Sequence, residues 1–201
     1  MPDLPRLILA TRNAHKTEEI RHILGDRFEI LDVTAFPELP EIDETGNTFL
    51  ENARLKALGI SRKIDGWVLA DDSGLEVDAL DGAPGVWSSS FGGEEGNHAK
   101  NNQRLMAEMA DHDHRSARFL CTLVLAKNGE EIANFHGTVE GEITRHPSGS
   151  GGFGYDPLFI PTGYSQTLAD LGAELKSQLS HRAKAIQSFV SNIRSGNLLN
   201  L

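Results

Sequence analysis

Trp67-Val68-Leu69-Ala70-Asp71-Asp72-Ser73-Gly74 is the stretch on which the reading of this chain turns. Trp67-Val68-Leu69 is an apolar run of the length of a short buried strand. Two adjacent carboxylates and a hydroxyl follow where the run ends, and Gly74 permits a sharp exit. Side chains alternate across a strand, so Asp71 and Asp72 are expected to point to opposite faces, one toward a site and the other toward a supporting partner. Carboxylates at the C-terminal end of a strand are suited to a hard cation such as Mg²⁺. The same residues also make an ordinary turn. Beyond them, Leu75-Glu76-Val77-Asp78-Ala79-Leu80 alternates as a half-exposed strand does.

On the N-terminal side, Arg6 to Ala10 reads as a first buried strand, Thr11-Arg12-Asn13 as a polar break, and Lys16 to Leu24 as a helix with Ile20, Ile23 and Leu24 on one face. Strand, polar turn and helix in this order place backbone N–H groups and a helix dipole where an anion can be received. Thr11, Asn13 and Lys16 add a hydroxyl, an amide and a positive charge, although the glycine-rich P-loop pattern is absent. Glu29 to Val33 is a candidate second strand. The loop from Phe36 to Gly46 carries Pro37, Pro40, Glu41, Asp43 and Glu44. Thr48 is placed to cap a helix from Phe49 to about Ile64, with Glu51 completing a capping box. Thr48, Asn52 and Lys56 form a stripe on that helix, which is either a functional face or a solvent face.

On the C-terminal side, a loop with Trp87 and Ser88 to Ser90 precedes a helix around Asn101 to Ala110. Asp111-His112-Asp113-His114 has metal-ligand residue types, but no matching spacing occurs elsewhere, so an exposed loop is expected. Arg118 to Ala126 is a long strand, and Asn128-Gly129 a hairpin signal leading into a return strand from Ile132 to Val139. The stretch from His146 to Asp156 has glycines around Phe153 and Tyr155, a loop that lets backbone approach a ligand, with Phe153 able to stack on a planar base. A last helix starts near Ser180. His181 and Arg182 in its first turn oppose the helix dipole, a local cost that hints at function.

The chain has 201 residues, 39% hydrophobic and 24% charged, enough for one α/β domain or two small lobes sharing a core. A net charge of −10 argues against general nucleic-acid binding. Cys121 is the only cysteine, and its apolar setting reads as packing and not as a nucleophile. No apolar stretch approaches the roughly 18 residues of a membrane span. The start, Met1-Pro2-Asp3-Leu4-Pro5, lacks a basic region, and Leu7-Ile8-Leu9-Ala10 is too short for the apolar core of a leader, so the cytoplasm is expected.

Seven blocks then occur in order: Thr11-Arg12-Asn13-Ala14-His15-Lys16, Glu44-Thr45-Gly46, Glu51-Asn52-Ala53-Arg54-Leu55-Lys56-Ala57, Ala70-Asp71-Asp72-Ser73-Gly74-Leu75, Gly82-Ala83-Pro84-Gly85, Gly151-Gly152-Phe153-Gly154-Tyr155-Asp156-Pro157 and Ser180-His181-Arg182. From about residue 6 to residue 195 the sequence resembles the inosine triphosphate pyrophosphatase family. The resemblance implies an α/β fold with a long, twisted, mixed sheet split between two α/β lobes, the active site in the cleft, and one two-lobed pyrophosphatase domain over residues 1–201, commonly as a homodimer. It implies a Mg²⁺-dependent hydrolase that cleaves ITP, dITP or XTP between the α- and β-phosphates. By the same resemblance Asp72 is the catalytic carboxylate and, with Glu44, a metal ligand. Thr11, Arg12, Asn13, Ala14, His15, Lys16, Lys56 and Ser73 match substrate-binding positions, Thr11, Asn13, Lys16 and Lys56 of them on the phosphate side. Phe153, Gly154, Tyr155, Asp156, Lys176, His181 and Arg182 match the base-binding set, and Asp71 is auxiliary. Lysine and arginine are donors only, which suits the 6-oxo group of such purines and disfavours adenine.

The chain departs from the family pattern at three places. Ser90 stands where bacterial members usually have Arg, Leu168 replaces a more usual aromatic, and Leu175-Lys176-Ser177 matches Glu-Lys-Asn loosely. Two other readings follow from the same residues. One is a related Mg²⁺ nucleotide pyrophosphatase acting on other modified nucleotides, as Maf proteins do; the other is a catalytically silent nucleotide-binding module.

Overall fold

Apolar residues run consecutively along the central strands of this molecule, and side chains of opposite parity enter different cores. The computed structural model describes residues 4–194. Six strands, β1 (Arg6–Leu9), β2 (Glu29–Asp32), β3 (Trp67–Val77), β4 (Ser116–Lys127), β5 (Glu130–Ile143) and β6 (Phe159–Pro161), lie in the order β2-β1-β3-β4-β5-β6. β1 runs parallel to β2 and β3, whereas β6 is antiparallel to β5, so the sheet is mixed as expected. The helices are α1 (Ala14–Leu24), α2 (Phe49–Ser61), α3 (His98–Glu108), α4 (Leu168–Leu179) and α5 (His181–Arg194). None of the described helices is long and apolar enough to cross a membrane.

The chain divides into two compact units. The first holds the residues up to Asp72, Cys121–Gly137 and those from Arg182 on; the second holds Ser73–Leu120 and Thr138–His181. The long strands β3, β4 and β5 each contribute one part to each unit.

In the first unit, Leu7, Leu9, Leu69, Leu123, Leu125 and Phe135 pack with Ile20 and Leu24 of α1 and Ala185, Ile186 and Phe189 of α5. Their neighbours of opposite parity, Ile8, Val68, Ala70, Val124 and Ala126, pack with Ala53, Ala57 and Ile60 of α2. The strands are therefore covered on both faces, and each fully buried leucine or isoleucine contributes about 1.5–3 kcal/mol relative to exposure. In the second unit, Leu75, Val77, Phe119, Val139, Ile143 and Phe159 form one core with Leu105 and Met109 of α3 and near it and Leu168 of α4.

The hairpin forms as the sequence predicts. Asn128 and Gly129 both take positive φ, 53° and 81°, the twist that joins two antiparallel strands. Phe135, Gly137 and Val139 are buried along β5, while Asn134 before them and His136 among them are exposed.

The structure corrects the expected turn at Asp71–Gly74. β3 is one continuous strand of 11 residues, and Gly74 is not among the described glycines with positive φ. Backbone pairing in the sheet outweighs the turn preference of Asp, Ser and Gly. α4 and β6 are additions to the sequence reading. α4 contains Gly172 at φ 79°, ψ 164°, which interrupts the helical period, and β6 has three residues, too few to show alternation.

Candidate active site

The parity of β3 decides the environment of each carboxylate. Asp71 continues the Leu69 face, toward α1 and α5, and Asp72 continues the Val68 and Ala70 face, toward α2. The expectation that the two point apart is borne out by their partners.

Asp71 is 2% exposed. Its Oδ1 lies 2.7 Å from Lys16 Nζ of α1, and its Oδ2 accepts from Arg182 Nε of α5 at 2.8 Å and from the Cys121 thiol at 3.1 Å. Arg182, 1% exposed, also donates through Nη1 to Glu19 at 2.5 Å. Burial alone would raise the Asp71 pKa, but the charges of Arg182 and Lys16 outweigh it and hold the carboxyl well below its usual range.

Asp72 meets α2. Lys56 Nζ donates to Glu44 Oε2 at 2.7 Å, to the Asp71 carbonyl at 2.9 Å and to Asp72 Oδ1 at 3.0 Å, which uses the three donors of an ammonium. Asn52, one turn earlier, accepts from Gly46 N–H at 2.7 Å and fixes the end of the acidic loop. Asn52 and Lys56 are 3% and 9% exposed, so at these two positions the stripe faces inward, while Thr48 at its head is exposed. At its head, Thr48 Oγ1 accepts from Glu51 N–H at 3.2 Å, and Glu51 Oε2 reaches Asn47 N–H at 2.7 Å, one residue before the partner a capping box would use.

Burial, with the Glu44 carboxylate adding to it, pushes Asp72 up to about 6 against the opposing charges of Lys56 and Lys16. Burial acts on Glu44 too, but Lys56 prevails and lowers it. The Oδ2 atom of Asp72 is buried and has no hydrogen-bond partner among the described residues. Two carboxylates that share one ammonium, with one oxygen left over, fit a hard divalent cation. Among the described residues no three His, Cys, Asp or Glu side chains group to hold an ion, so a cation here would need other oxygens to complete its shell. Asp111-His112-Asp113-His114 is an exposed loop, as expected, with Asp113 paired to Arg145 at 2.6 Å.

The turn after β1 is closed by its own side chains. Asn13 caps α1, its Oδ1 accepting from His15 N–H at 3.0 Å and Lys16 N–H at 3.3 Å, while Thr11 Oγ1 accepts from Asn13 N–H at 3.1 Å. Ala14 and His15 open the helix and are exposed. Arg12, expected at the substrate, donates Nη2 to the Leu39 carbonyl at 3.0 Å and so ties the turn to the proline-rich loop.

The second unit holds another cluster. Asp156 Oδ2 accepts from Phe153 N–H at 2.9 Å and from Lys176 Nζ, and that ammonium lies 4.8 Å from the centroid of the Phe153 ring. Gly152 has φ +70°, and a Cβ there would meet Asp156 Oδ2 at 2.0 Å, so only glycine allows the loop to fold onto this carboxylate. The Gly154 carbonyl accepts from Asn102 Nδ2 at 3.0 Å, and His98, one turn before Asn102 on α3, sits with its ring 6.0 Å from that of Phe153. His181 stacks on Phe119 at 4.8 Å, and Ser73 is the first residue of this unit.

Two residues of the expected base-binding set are buried with protein partners. Tyr155 is 3% exposed in the core of its unit, its hydroxyl donating to the Ser88 carbonyl at 2.8 Å, because this ring fills the space under the glycine-rich loop. Arg182 belongs to the first unit, and its Nε, Nη1 and Nη2 are directed at Asp71 and Glu19. Sequence reasoning did not find Glu19, His98 or Asn102. The i, i+4 spacing of His98 and Asn102 was the one available signal.

Cys121 is buried as expected, and its thiol is also a donor. Burial, and then the negative charge of Asp71, pushes the thiol well above its usual range. Native protein at pH 8 is expected to resist alkylation at Cys121 until it unfolds; labelling at the rate of an exposed thiol would refute this.

A mixed α/β protein with a clustered Lys–carboxylate floor is the class this fold and site define. The profile of the Ham1 family matches residues 7–192, and the chain belongs to that family. It is 46% identical over 188 residues to a protein of Streptococcus pyogenes serotype M3 named dITP/XTP pyrophosphatase, a match covering 92% of this chain and 57% of the relative. The chain thus spans little more than half the length of that relative. A protein of the same name from Exiguobacterium sp. is 46% identical over 189 residues, covering 94% of this chain and 96% of the relative. Among solved structures, the HAM1 protein of Coxiella burnetii superposes with a TM-score of 0.86 at 36% identity, over 96% of this chain and 100% of that one. The Staphylococcus aureus Ham1 protein gives 0.84 at 34%, over 94% and 98%. The resemblance read from the seven motif blocks is borne out.

Proposed function

We propose that this protein hydrolyses non-canonical purine nucleoside triphosphates, ITP, dITP and XTP, to the nucleoside monophosphate and pyrophosphate, with Mg²⁺ as cofactor. The names of its relatives support the substrate class. The observation that carries the chemistry is the Lys56 ammonium held against both Glu44 and Asp72. Lys16 and Asn13, at the N-terminal end of α1, receive the phosphate chain with the helix dipole in support, and Lys56 offsets part of its roughly four negative charges. Asn13 Oδ1 is committed to the helix cap, which leaves its amide nitrogen to donate to phosphate. Asp72 accepts the proton of the attacking water as the new bond to the α-phosphorus forms, and the bond from that phosphorus to the bridging oxygen breaks, with pyrophosphate leaving. When bound, Mg²⁺ would be held by Glu44 and Asp72 and would neutralise charge on the phosphate oxygens.

Base choice is assigned to Phe153 and Lys176. The ring offers a stacking face, and the ammonium, oriented by Asp156, is a donor for the 6-oxo group. Removing that donor with Lys176→Met is expected to lower the kcat/KM ratio of ITP over ATP about tenfold or more. An unchanged ratio would remove Lys176 from base selection. A cytoplasmic location and a homodimer are part of the same proposal, on the family resemblance.

The test is pyrophosphate release with Mg²⁺ from ITP, dITP, XTP, GTP, ATP and dCTP, with the monophosphate identified. Release chiefly from ITP, dITP and XTP is the expected result. Activity chiefly on another base would favour a retuned pyrophosphatase, and no release from any would favour a silent nucleotide-binding module.

A further inference from the structure

Asp71 is among the most deeply buried charged side chains, yet the reaction above makes no use of it. Lys16, which the reaction does use, is an awkward residue for its position. A cation in the first turn of a helix is opposed by the dipole, and a lysine side chain carries about 2 kcal/mol of rotamer entropy that favours wandering into solvent. The Lys16 side chain is nevertheless only 15% exposed, with Nζ 2.7 Å from Asp71 Oδ1.

We propose that Asp71, clamped by Arg182, is a positioning residue that holds the Lys16 ammonium ready at the Thr11–Asn13 turn, so that a triphosphate meets a cation already in place. This rests on the triphosphate reading of the same site. The clamp is a closed ring. Lys16 reaches Asp71, Asp71 Oδ2 is fixed by Arg182 Nε at 2.8 Å and by the Cys121 thiol at 3.1 Å, and Arg182 Nη1 returns to Glu19 on α1, the helix that carries Lys16. Lys16, Asp71, Arg182 and Glu19 together carry two positive and two negative charges, so the ring is neutral without substrate. One donor of the Lys16 ammonium is directed at Asp71, and the remaining two suit phosphate oxygens. The carboxylate thus aims the lysine while its own geometry is set from β4 and α5.

The experiment is titration calorimetry with inorganic tripolyphosphate on the whole protein in Mg²⁺ buffer, for the wild type, Asp71→Asn, Lys16→Ala and the double variant, with thermal melts to verify folding. Asp71→Asn is expected to weaken tripolyphosphate binding about tenfold in the wild-type background and less than twofold in the Lys16→Ala background, because the effect passes through Lys16. Equal weakening in both backgrounds, the signature of a merely structural role, would overturn the proposal. If Asp71→Asn alone does not fold, the pair Asp71→Asn/Arg182→Met removes both buried charges and is compared in the same two backgrounds. Absence of tripolyphosphate binding by the wild type would overturn the triphosphate reading and this proposal together, whereas binding without coupling would overturn this proposal alone.

Discussion

Arg182→Ala is expected to destabilise the protein by about 3–5 kcal/mol, the cost of leaving one member of a buried ion pair without its partner. For a chain of this size that lowers the melting temperature by about 10 °C. The loss should depend on pH in a definite direction. In the wild type the Asp71 carboxyl is held well below its usual range, so its contribution is present above that range and is lost only in strong acid. In the variant, burial, which favours the protonated form of Asp71, is opposed chiefly by Lys16. A group shifted upward in the fold costs stability as pH rises through its folded pKa, so the gap between the proteins should be wider at pH 8 than at pH 5. Denaturant melts at the two pH values test this, and a gap that narrows toward pH 8 would contradict it. Arg182→Met combined with Asp71→Asn should recover much of the loss, since both buried charges then disappear. A fall in activity of Arg182→Ala would therefore report on the fold before it reports on the base.

The second large effect is expected at Asp72. Asp72→Asn should lower turnover of ITP by about 10³-fold, within the range contributed by a positioned general base, while binding persists. It should also stabilise the metal-free protein at neutral pH. The ordinary carboxylate value is 3.8, and burial raises Asp72 to about 6. Between those values the folded state holds the proton that the unfolded state has released, so stability falls as pH rises through this window. Above it the ionised form costs about 1–3 kcal/mol, part of it offset by the Lys56 pair that asparagine would weaken. Melts without Mg²⁺ should therefore show the variant above the wild type at pH 7 and the two converging near pH 4. A variant less stable at pH 7 would show that the pair with Lys56 outweighs the burial of the charge.

Local features of the site were legible in the sequence because their partners are near in the chain. The Asn13 cap, the Thr48 cap and the Asn128-Gly129 turn each join residues within a few positions of one another. The direction of Asp71 against Asp72 was legible from alternation alone. The role of Arg182 was not, because its partners Asp71 and Glu19 lie 111 and 163 positions away. Its place in the first turn of α5, against the dipole, marked it as unusual and left the compensating charges unidentified. The turn chemistry of Asp71-Asp72-Ser73-Gly74 pointed the wrong way for the same reason: strand pairing with distant segments decided the local conformation. α4 stayed hidden because Gly172 breaks its period, and with it the setting of Lys176.

The alternation along β3 has a bearing on how this sequence can change over evolutionary time. Adjacent positions, 71 and 72, are delivered to different layers of the unit solely by whether their distance from Leu69 is even or odd. Substitutions along Trp67–Asp72 leave that parity intact, and their effects stay local. Deleting Ala70, or inserting a single residue between Leu69 and Asp71, would exchange the two addresses, presenting one carboxylate to Lys56 where the other belongs and leaving Arg182 facing the wrong neighbour. Length drift should thus be eliminated in this strand, and a library of one-residue deletions scored for folding would show a sharp trough there.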